Sequence, residues 1–356
     1  MIGKIKQLSF SSLLFLISLT AIFSSYYSNN PKILIVFAAS FLISSITCNL
    51  GLKLTKKFKF FQKIREESPE IHKKKENTPT MGGLFFIPIV LLIVLFIDIQ
   101  SNSVKLIFIL TVLGYFLIGL IDDFLSIKNK RNLGLRGKDK LTFQIIITFF
   151  LIIFSAQLNL INSELLIVNN YTFDLKDFIF PVSFLTVIGM SNAVNLSDGL
   201  DGLVAGCSSI VFCGLGTEIL LSNDQFTGFS IICFSMAGLC LGFLRFNRYP
   251  AKIFMGDTGS LCIGAIIGLI CIYTNNFLTV FIISGIFLIE TFSVILQVLF
   301  FKITKKLFGQ GKRLFLMSPI HHHFELKGIP ERKIVDYFWK TNILLAILGI
   351  VLKISF

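Results

Sequence analysis

Apolar runs of bilayer-spanning length recur from one end of this 356-residue chain to the other. A helix needs roughly 20 apolar residues, within about 17–25, to cross the hydrocarbon core. Lipid offers no hydrogen bonds to an exposed backbone, so such segments must be helical or close into a barrel. Runs of this kind lie at approximately 11–28, 32–52, 82–98, 104–121, 141–158, 177–194, 203–221, 227–244, 259–274, 277–300 and 341–356. They predict an all-α integral membrane protein, a polytopic bundle of about ten to eleven transmembrane helices forming one domain over residues 1–356. Only 15% of the residues are charged, against about a quarter in soluble chains. The first run is too long, and too soon followed by a second, for a simple cleaved signal peptide.

Basic residues orient the bundle, because cytoplasmic loops carry the excess of Lys and Arg. With the N-terminus inside, the inner segments 1–10, 53–81, 122–140, 195–202, 245–258 and 301–340 hold 29 of the 33 Lys and Arg residues. An odd number of spans then puts the C-terminus outside. Inside-positive anchoring and attraction to anionic lipid headgroups account for most of the +13 net charge, so no nucleic-acid partner is required. The seven Cys fall in apolar segments without a Cys-x-x-Cys pair and read as small buried hydrophobes.

Polar residues that anchoring does not require carry the functional information. Asp122 and Asp123 end a span, where the helix dipole disfavours negative charge. Adjacent carboxylates at that place suit binding a cation or taking a proton from a phosphate or hydroxyl. Asn192, Asn195, Asp198 and Asp201 recur every three residues and suit a polyhydroxylated or nucleotide ligand. Asp201 or Ser197 as a cap for the helix near Leu203 would explain one of them. Asp257, in Phe254-Met-Gly-Asp-Thr-Gly-Ser260, is either an N-cap or a carboxylate suited to Mg2+ beside a bound anion. Thr80, in Thr78-Pro-Thr-Met-Gly-Gly83 behind His72 and Lys73–Lys75, is either a helix cap or part of a phosphate site. His321, His322 and His323 cannot easily share one metal; as an alternative to a plain surface run, they can donate to phosphate or sugar, or shuttle a proton. Glu290 lies near the middle of a span, where a carboxylate costs at least about 2.5 kcal/mol and should have a partner inside the bundle. A transporter would place its carboxylates at mid-membrane, whereas these acidic clusters crowd one surface. Clustered carboxylates, Lys, glycine-bearing helix starts and His form the kit of metal-assisted phosphoryl transfer. Neither a Walker motif nor a dinucleotide fingerprint is present.

Five strings, in order, resemble those of the polyprenyl-phosphate N-acetylhexosamine-1-phosphate transferase superfamily: Thr78–Gly83, Asp122-Asp123, Asn192–Gly202, Phe254–Ser260 and His321–Gly328. The triple His resembles its phospho-N-acetylmuramoyl-pentapeptide-transferase family in particular. The motif-bearing core spans 53–340, and residues 1–30 add a span to the ten typical of the family. The resemblance implies transfer of phospho-N-acetylmuramoyl-pentapeptide from its UDP-linked donor to undecaprenyl phosphate, giving lipid I and UMP with Mg2+. It implies a multi-pass enzyme of the bacterial plasma membrane with a cytoplasmic active site, working as a homodimer in cell-wall synthesis, and so in cell shape and division. Asp257 would be the Mg2+ ligand, Asp122 would deprotonate or orient the lipid phosphate, and Asp123 would support it. Asn192, Asn195, Asp198 and Asp201 would line the nucleotide-sugar side, with Phe254 stacked on uracil. Lys75, Thr80, Lys138, His321 and His322 would hold phosphates or sugar, with Asn247 in support. Two positions depart from the pattern: Ser126 where many relatives carry Lys, for which Lys128, Lys138 or Lys140 would stand in, and Ser197 where Thr is frequent.

Overall fold

The computed structural model describes residues 7–61, 75, 78–129, 134–168, 171–222 and 224–354. His72, Lys73 and Lys74 of the basic flank lie outside them. Among the described residues, ten helices are long and apolar enough to cross a membrane. They are α1 (Phe10–Tyr27), α2 (Pro31–Lys57), α4 (Asn102–Asn129), α5 (Gly137–Gln157), α6 (Ile179–Ser197), α7 (Leu203–Ser222), α8 (Thr227–Asn247), α9 (Asp257–Thr274), α11 (Gly285–Phe308) and α13 (Glu331–Ile354). The shorter α3 (Ile87–Phe96), α10 (Phe277–Ile283) and α12 (Ile320–Leu326) complete the set. The expected polytopic helical bundle is thus the fold, with differences at four places.

The run at 82–98 gives a 3-10 turn, Gly82–Phe85, and then only ten residues of α-helix. Pro88 falls in the first turn of α3, where its missing N–H and fixed φ favour a helix start. The run at 277–300 is split between α10 and α11 at Ser284. The stretch 301–340, expected as a long loop, is largely helix: α11 runs on to Phe308, and α13 begins at Glu331. A small antiparallel hairpin, β1 (Glu164–Val168) with β2 (Tyr171–Asp174), joins α5 to α6. Its β-branched and aromatic residues suit a strand, and it lies between spans, where no helical periodicity competes.

Helices α7, α8 and α9 are buried nearly all round and form the centre. A helix apolar on every side belongs in such a position. Around them, α2 packs on α8, α4 and α6 on α9, and α13 on α7. The outer faces of α1, α2, α5 and α11 expose large apolar side chains, among them Phe15, Leu42, Phe150 and Phe292, as lipid-facing surfaces do. All seven Cys are buried and unbridged, as expected from their apolar segments.

The α4–α9 contact positions the chemistry. It is closest at Gly119, where a methyl group would run into the backbone carbonyl of Asp257. Gly119→Ala therefore sets two effects against each other. Local helix propensity favours Ala by about 1 kcal/mol, whereas forcing a methyl into packed backbone costs about 1–3 kcal/mol. The obstacle is main chain and cannot swing aside, so the variant should melt below the parent in detergent. A higher melting temperature would show that the two helices part freely.

Candidate functional site

The carboxylates of Asp122, Asp123 and Asp257 meet where the last turns of α4 lie beside the start of α9. One oxygen from each falls within 4.8 Å of the others. Asp123 accepts hydrogen bonds from the backbone N–H groups of Asp257 (3.1 Å) and Thr258 (3.0 Å) and from the Thr258 hydroxyl (2.5 Å). It thus satisfies orphan donors of the first turn of α9 and places a negative charge at the positive end of that helix. Asp257 is not the cap. It is the first residue of α9, and the N-cap position is Gly256, at φ +73°, where a side chain would strike the Asp123 carboxylate. The helix is capped across the chain by Asp123, which leaves the Asp257 carboxylate free to point elsewhere.

Asp257 accepts from Asn195 Nδ2 (2.8 Å), which also reaches the Ser260 hydroxyl (2.9 Å). Its other oxygen pairs with the Lys140 ammonium, and Lys140 also lies 3.2 Å from Asp122. Asp122 accepts the Leu135 N–H at 3.0 Å. Among the described residues one ammonium thus meets two of the three clustered carboxylates, Asp122 and Asp257, which leaves the cluster short of positive charge. Oxygen-only donors of this kind suit a hard divalent cation such as Mg2+, and Asp122 and Asp257 would hold it, since Asp123 is committed to α9.

Lys140, not Lys138, is the lysine in this cluster. Two residues turn a helix through about 200°, so with α5 starting at Gly137 the two side chains leave on opposite faces; Lys138 is exposed. Ser126 sits partly buried in the last turns of α4, and Lys128 is exposed.

The four polar residues of 192–201 do not form one helical row, because α6 ends at Ser197. Asn192 donates to Gln144 Oε1 (2.6 Å) and so ties α6 to α5. Asp198 and Asp201 occupy the turn after the helix. Asp201 is buried: one oxygen pairs with Lys75 (2.7 Å) and the other accepts the Ala251 N–H (2.8 Å). Glu331 Oε1 joins them, accepting from Lys75 (2.6 Å) and from the Asp201 N–H (2.7 Å). Burial works against the Lys75 charge, but the two carboxylates outweigh it and raise its pKa above the ordinary lysine value. Asn247 fastens the same turn by accepting the Gly202 N–H (3.1 Å) while donating to the Ile253 carbonyl (3.0 Å).

Thr80 is buried, and the strand-like pairing of Pro79 and Gly82 with Phe254 brings this segment to the entrance of α9. Phe254 is half-buried there. A cavity of about 380 Å³ has none of Asp122, Asp123 and Asp257 in its lining and shares only Asp201 with the residues described above.

The histidines separate. His321 is fully buried, with Nδ1 3.1 Å from Glu290 Oε2, so His321 is the partner of this carboxylate, which stands at the sixth residue of α11. His322 pairs with Glu325 (2.7 Å) and is partly exposed, whereas His323 accepts the Leu316 N–H. Sequence reasoning did not single out Gln144 or Glu331. Glu331 opens a helix, an ordinary place for Glu, and only its burial beside Lys75 distinguishes it.

Comparison with known proteins gives consistent matches. Residues 105–275 match the family model of glycosyl transferase family 4, and residues 75–87 match phospho-N-acetylmuramoyl-pentapeptide-transferase signature 1. The chain is 56% identical to a phospho-N-acetylmuramoyl-pentapeptide-transferase of Prochlorococcus marinus strain MIT 9301, with 100% of both chains covered. It is 42% identical to that of strain NATL2A over 96% of this chain and 92% of the relative. It is 40% identical to that of Halalkalibacterium halodurans over 90% of this chain and 98% of the relative.

Two outcomes follow from the geometry. Asp123→Ala removes the cap of α9 and should destabilise the protein by about 0.5–2 kcal/mol, the range for lost helix caps, read as a lower melting temperature; an unchanged melt would mean that α9 is fixed by other contacts. Burial, with the charges of Asp257, Asp123 and Asp201, pushes the Asp198 carboxyl up to about 8. The folded chain keeps this proton while the unfolded chain releases it near pH 4. Folded metal-free protein therefore loses stability as pH rises between about 4 and 8. Asp198→Asn should flatten that decline in a melting series, and an equally steep decline would contradict the assignment.

Proposed function

The chain belongs to the phospho-N-acetylmuramoyl-pentapeptide-transferase family, and from that footing we propose that it makes lipid I. It is a multi-pass membrane enzyme whose donor is a nucleotide-linked sugar peptide and whose acceptor is a membrane lipid. The finer reading is that phospho-N-acetylmuramoyl-pentapeptide passes from UDP to undecaprenyl phosphate, with release of UMP, in a Mg2+-dependent reaction. It takes place at the cytoplasmic face of the bacterial plasma membrane, with the shorter apolar segment Gly82–Phe96 as an eleventh crossing, so that the N-terminus is inside and the C-terminus outside, and with a homodimer as the working unit. Cell-wall growth, cell shape and division depend on the product.

The observation that carries this reading is the convergence of Asp122, Asp123, Asp257 and Lys140 at one end of the bundle. In the net reaction an oxygen of the lipid phosphate bonds to the sugar-bearing phosphorus, and the anhydride bond to UMP breaks. Both substrates are anions, so the first requirement is positive charge between them. Lys140 supplies part of it, and Mg2+, which Asp122 and Asp257 would hold, would supply the rest by neutralising the diphosphate. Asn195 holds one oxygen of Asp257 and so fixes the direction in which this carboxylate presents itself. Asp122, anchored by the Leu135 amide, holds or removes the proton of the acceptor phosphate at the membrane boundary. Asp123 keeps α9 in register. Asn192, Asn195, Asp198 and Asp201 face the donor, with Lys75, Thr80, Lys138, Asn247, Phe254, His321 and His322 serving phosphate, sugar and uracil. The lipid acceptor arrives in the bilayer plane and the donor from water, which accords with a site at the helix ends.

Purified protein in detergent should release UMP and yield lipid-linked phospho-N-acetylmuramoyl-pentapeptide; lipid-linked N-acetylglucosamine phosphate as the main product would overturn the assignment. Lys140→Met should lower kcat at least about a hundredfold, as expected for a group that stabilises transition-state charge. Lys138→Met should leave kcat within about threefold of the parent, because this exposed lysine can contribute to substrate affinity but lies outside the carboxylate cluster. The reverse order would move the catalytic ammonium to residue 138.

A further inference from the structure

After α11 ends at Phe308 the chain turns back and runs along the helix it has just left. Three side chains on α11 hold it there. Thr304 Oγ1 accepts the Lys312 N–H at 2.8 Å. Gln297 Oε1 accepts the N–H groups of Leu314 (3.0 Å) and Phe315 (2.8 Å), and its Nε2 donates to the Phe315 carbonyl at 3.2 Å. Glu290 then meets His321, the second residue of α12. Residues 304, 297 and 290 are seven apart, close to two full helical turns, so they share one face of α11. Glu290 is the last rung of this ladder.

It differs from the other two rungs. Thr304 and Gln297 bind backbone, whereas Glu290 binds a side chain, and both partners are almost completely buried. With the carboxylate oxygen as the acceptor of this bond, the shared proton is on Nδ1 of His321. The other ring nitrogen, Nε2, is then left as an acceptor. It is buried, has no hydrogen-bond partner among the described residues, and lies against Gly199, where a Cβ would overlap it. Gly199 belongs to the turn between Asp198 and Asp201, the turn that Lys75, Glu331 and Asn247 fasten from its other residues.

We propose that Glu290 is a positioning residue for the transfer reaction. It fixes the tautomer and orientation of His321, and His321 in turn buttresses the donor-facing turn at Gly199. The carboxylate acts on the imidazole as a hydrogen-bonded orienter does wherever one ring nitrogen must be held for the other to work. This inference rests on the reading that the donor is bound at the Asp198–Asp201 turn. Glu290, the sixth residue of α11, accordingly has a local duty through His321, not a place in a path across the bundle.

Two measurements test it, one of which needs no turnover. The chain has only 4 His, so 15N-imidazole spectra of labelled protein can be assigned by His→Asn variants. His321 should be Nδ1-protonated in the parent and in Glu290→Gln, which keeps an oxygen acceptor, and should lose that signature in Glu290→Leu. An unchanged signature in Glu290→Leu would overturn the pairing whether or not the chain is a transferase. In steady-state assays Glu290→Leu should raise donor KM at least about tenfold and acceptor KM little, with Glu290→Gln close to the parent. Glu290→Leu/His321→Asn should be no worse than His321→Asn alone, because one residue acts through the other. Independent, multiplying losses would contradict the proposal. Gly199→Ala, which presses on Nε2, should reproduce the donor KM effect. If Glu290→Leu does not fold, Glu290→Ala, which also removes the acceptor, takes its place in both measurements with the same expected and contradicting results.

Discussion

The working end of this molecule depends on one cross-chain cap, the Asp123 carboxylate seated on the first amides of α9. A helix beginning with Gly256-Asp257 has no side chain of its own to satisfy its N-terminus. Had Asp257 turned back to do so, it would be lost to chemistry. With Asp123 in that place, α4 is fixed to α9, Gly119 sets the spacing, and Asp257 is released toward Asn195 and Lys140. Adjacent aspartates thus divide the labour: one builds the site and the other, Asp122, faces it.

Like charge held together must be answered by opposite charge, and the protein answers only part of it. Lys140 spans Asp122 and Asp257, while Lys75 is answered in turn by Asp201 and Glu331. The first group is deficient in positive charge and partly open, as suits a place that receives a cation and phosphates. The second is more deeply buried and ties the 198–201 turn to α13 and to the loop after α8. Removing one partner from such a buried set leaves an uncompensated charge, so Lys75 and Glu331 hold this turn in shape.

Much of this was legible in the sequence. Hydropathy alone exposed the bundle, because lipid imposes a length and a composition on every crossing segment. The acidic clusters stood out because the membrane has no use for them. What stayed hidden depended on helical phase and on returns of the chain. Lys138 and Lys140 are equivalent as letters, and only the starting residue of α5 decides which enters the cluster. The row from Asn192 to Asp201 reads as periodic, yet α6 ends at Ser197 and redirects its last two members. Glu290 announced itself as a buried acid, but its partner lies 31 residues onward through a segment folded back along α11. The hairpin at 164–174 was missed because short strands between spans leave little periodic signal.

The central claim is that Asp122 and Asp257, steadied by Asp123, Asn195 and Lys140, form one divalent-cation site. Titration of the purified protein with Mn2+, followed by electron paramagnetic resonance, tests it without substrates. The account predicts one tight Mn2+ per chain in the parent, displaced by Mg2+, and loss of that site in Asp257→Asn with the fold intact. Unchanged Mn2+ stoichiometry and affinity in Asp257→Asn would contradict it.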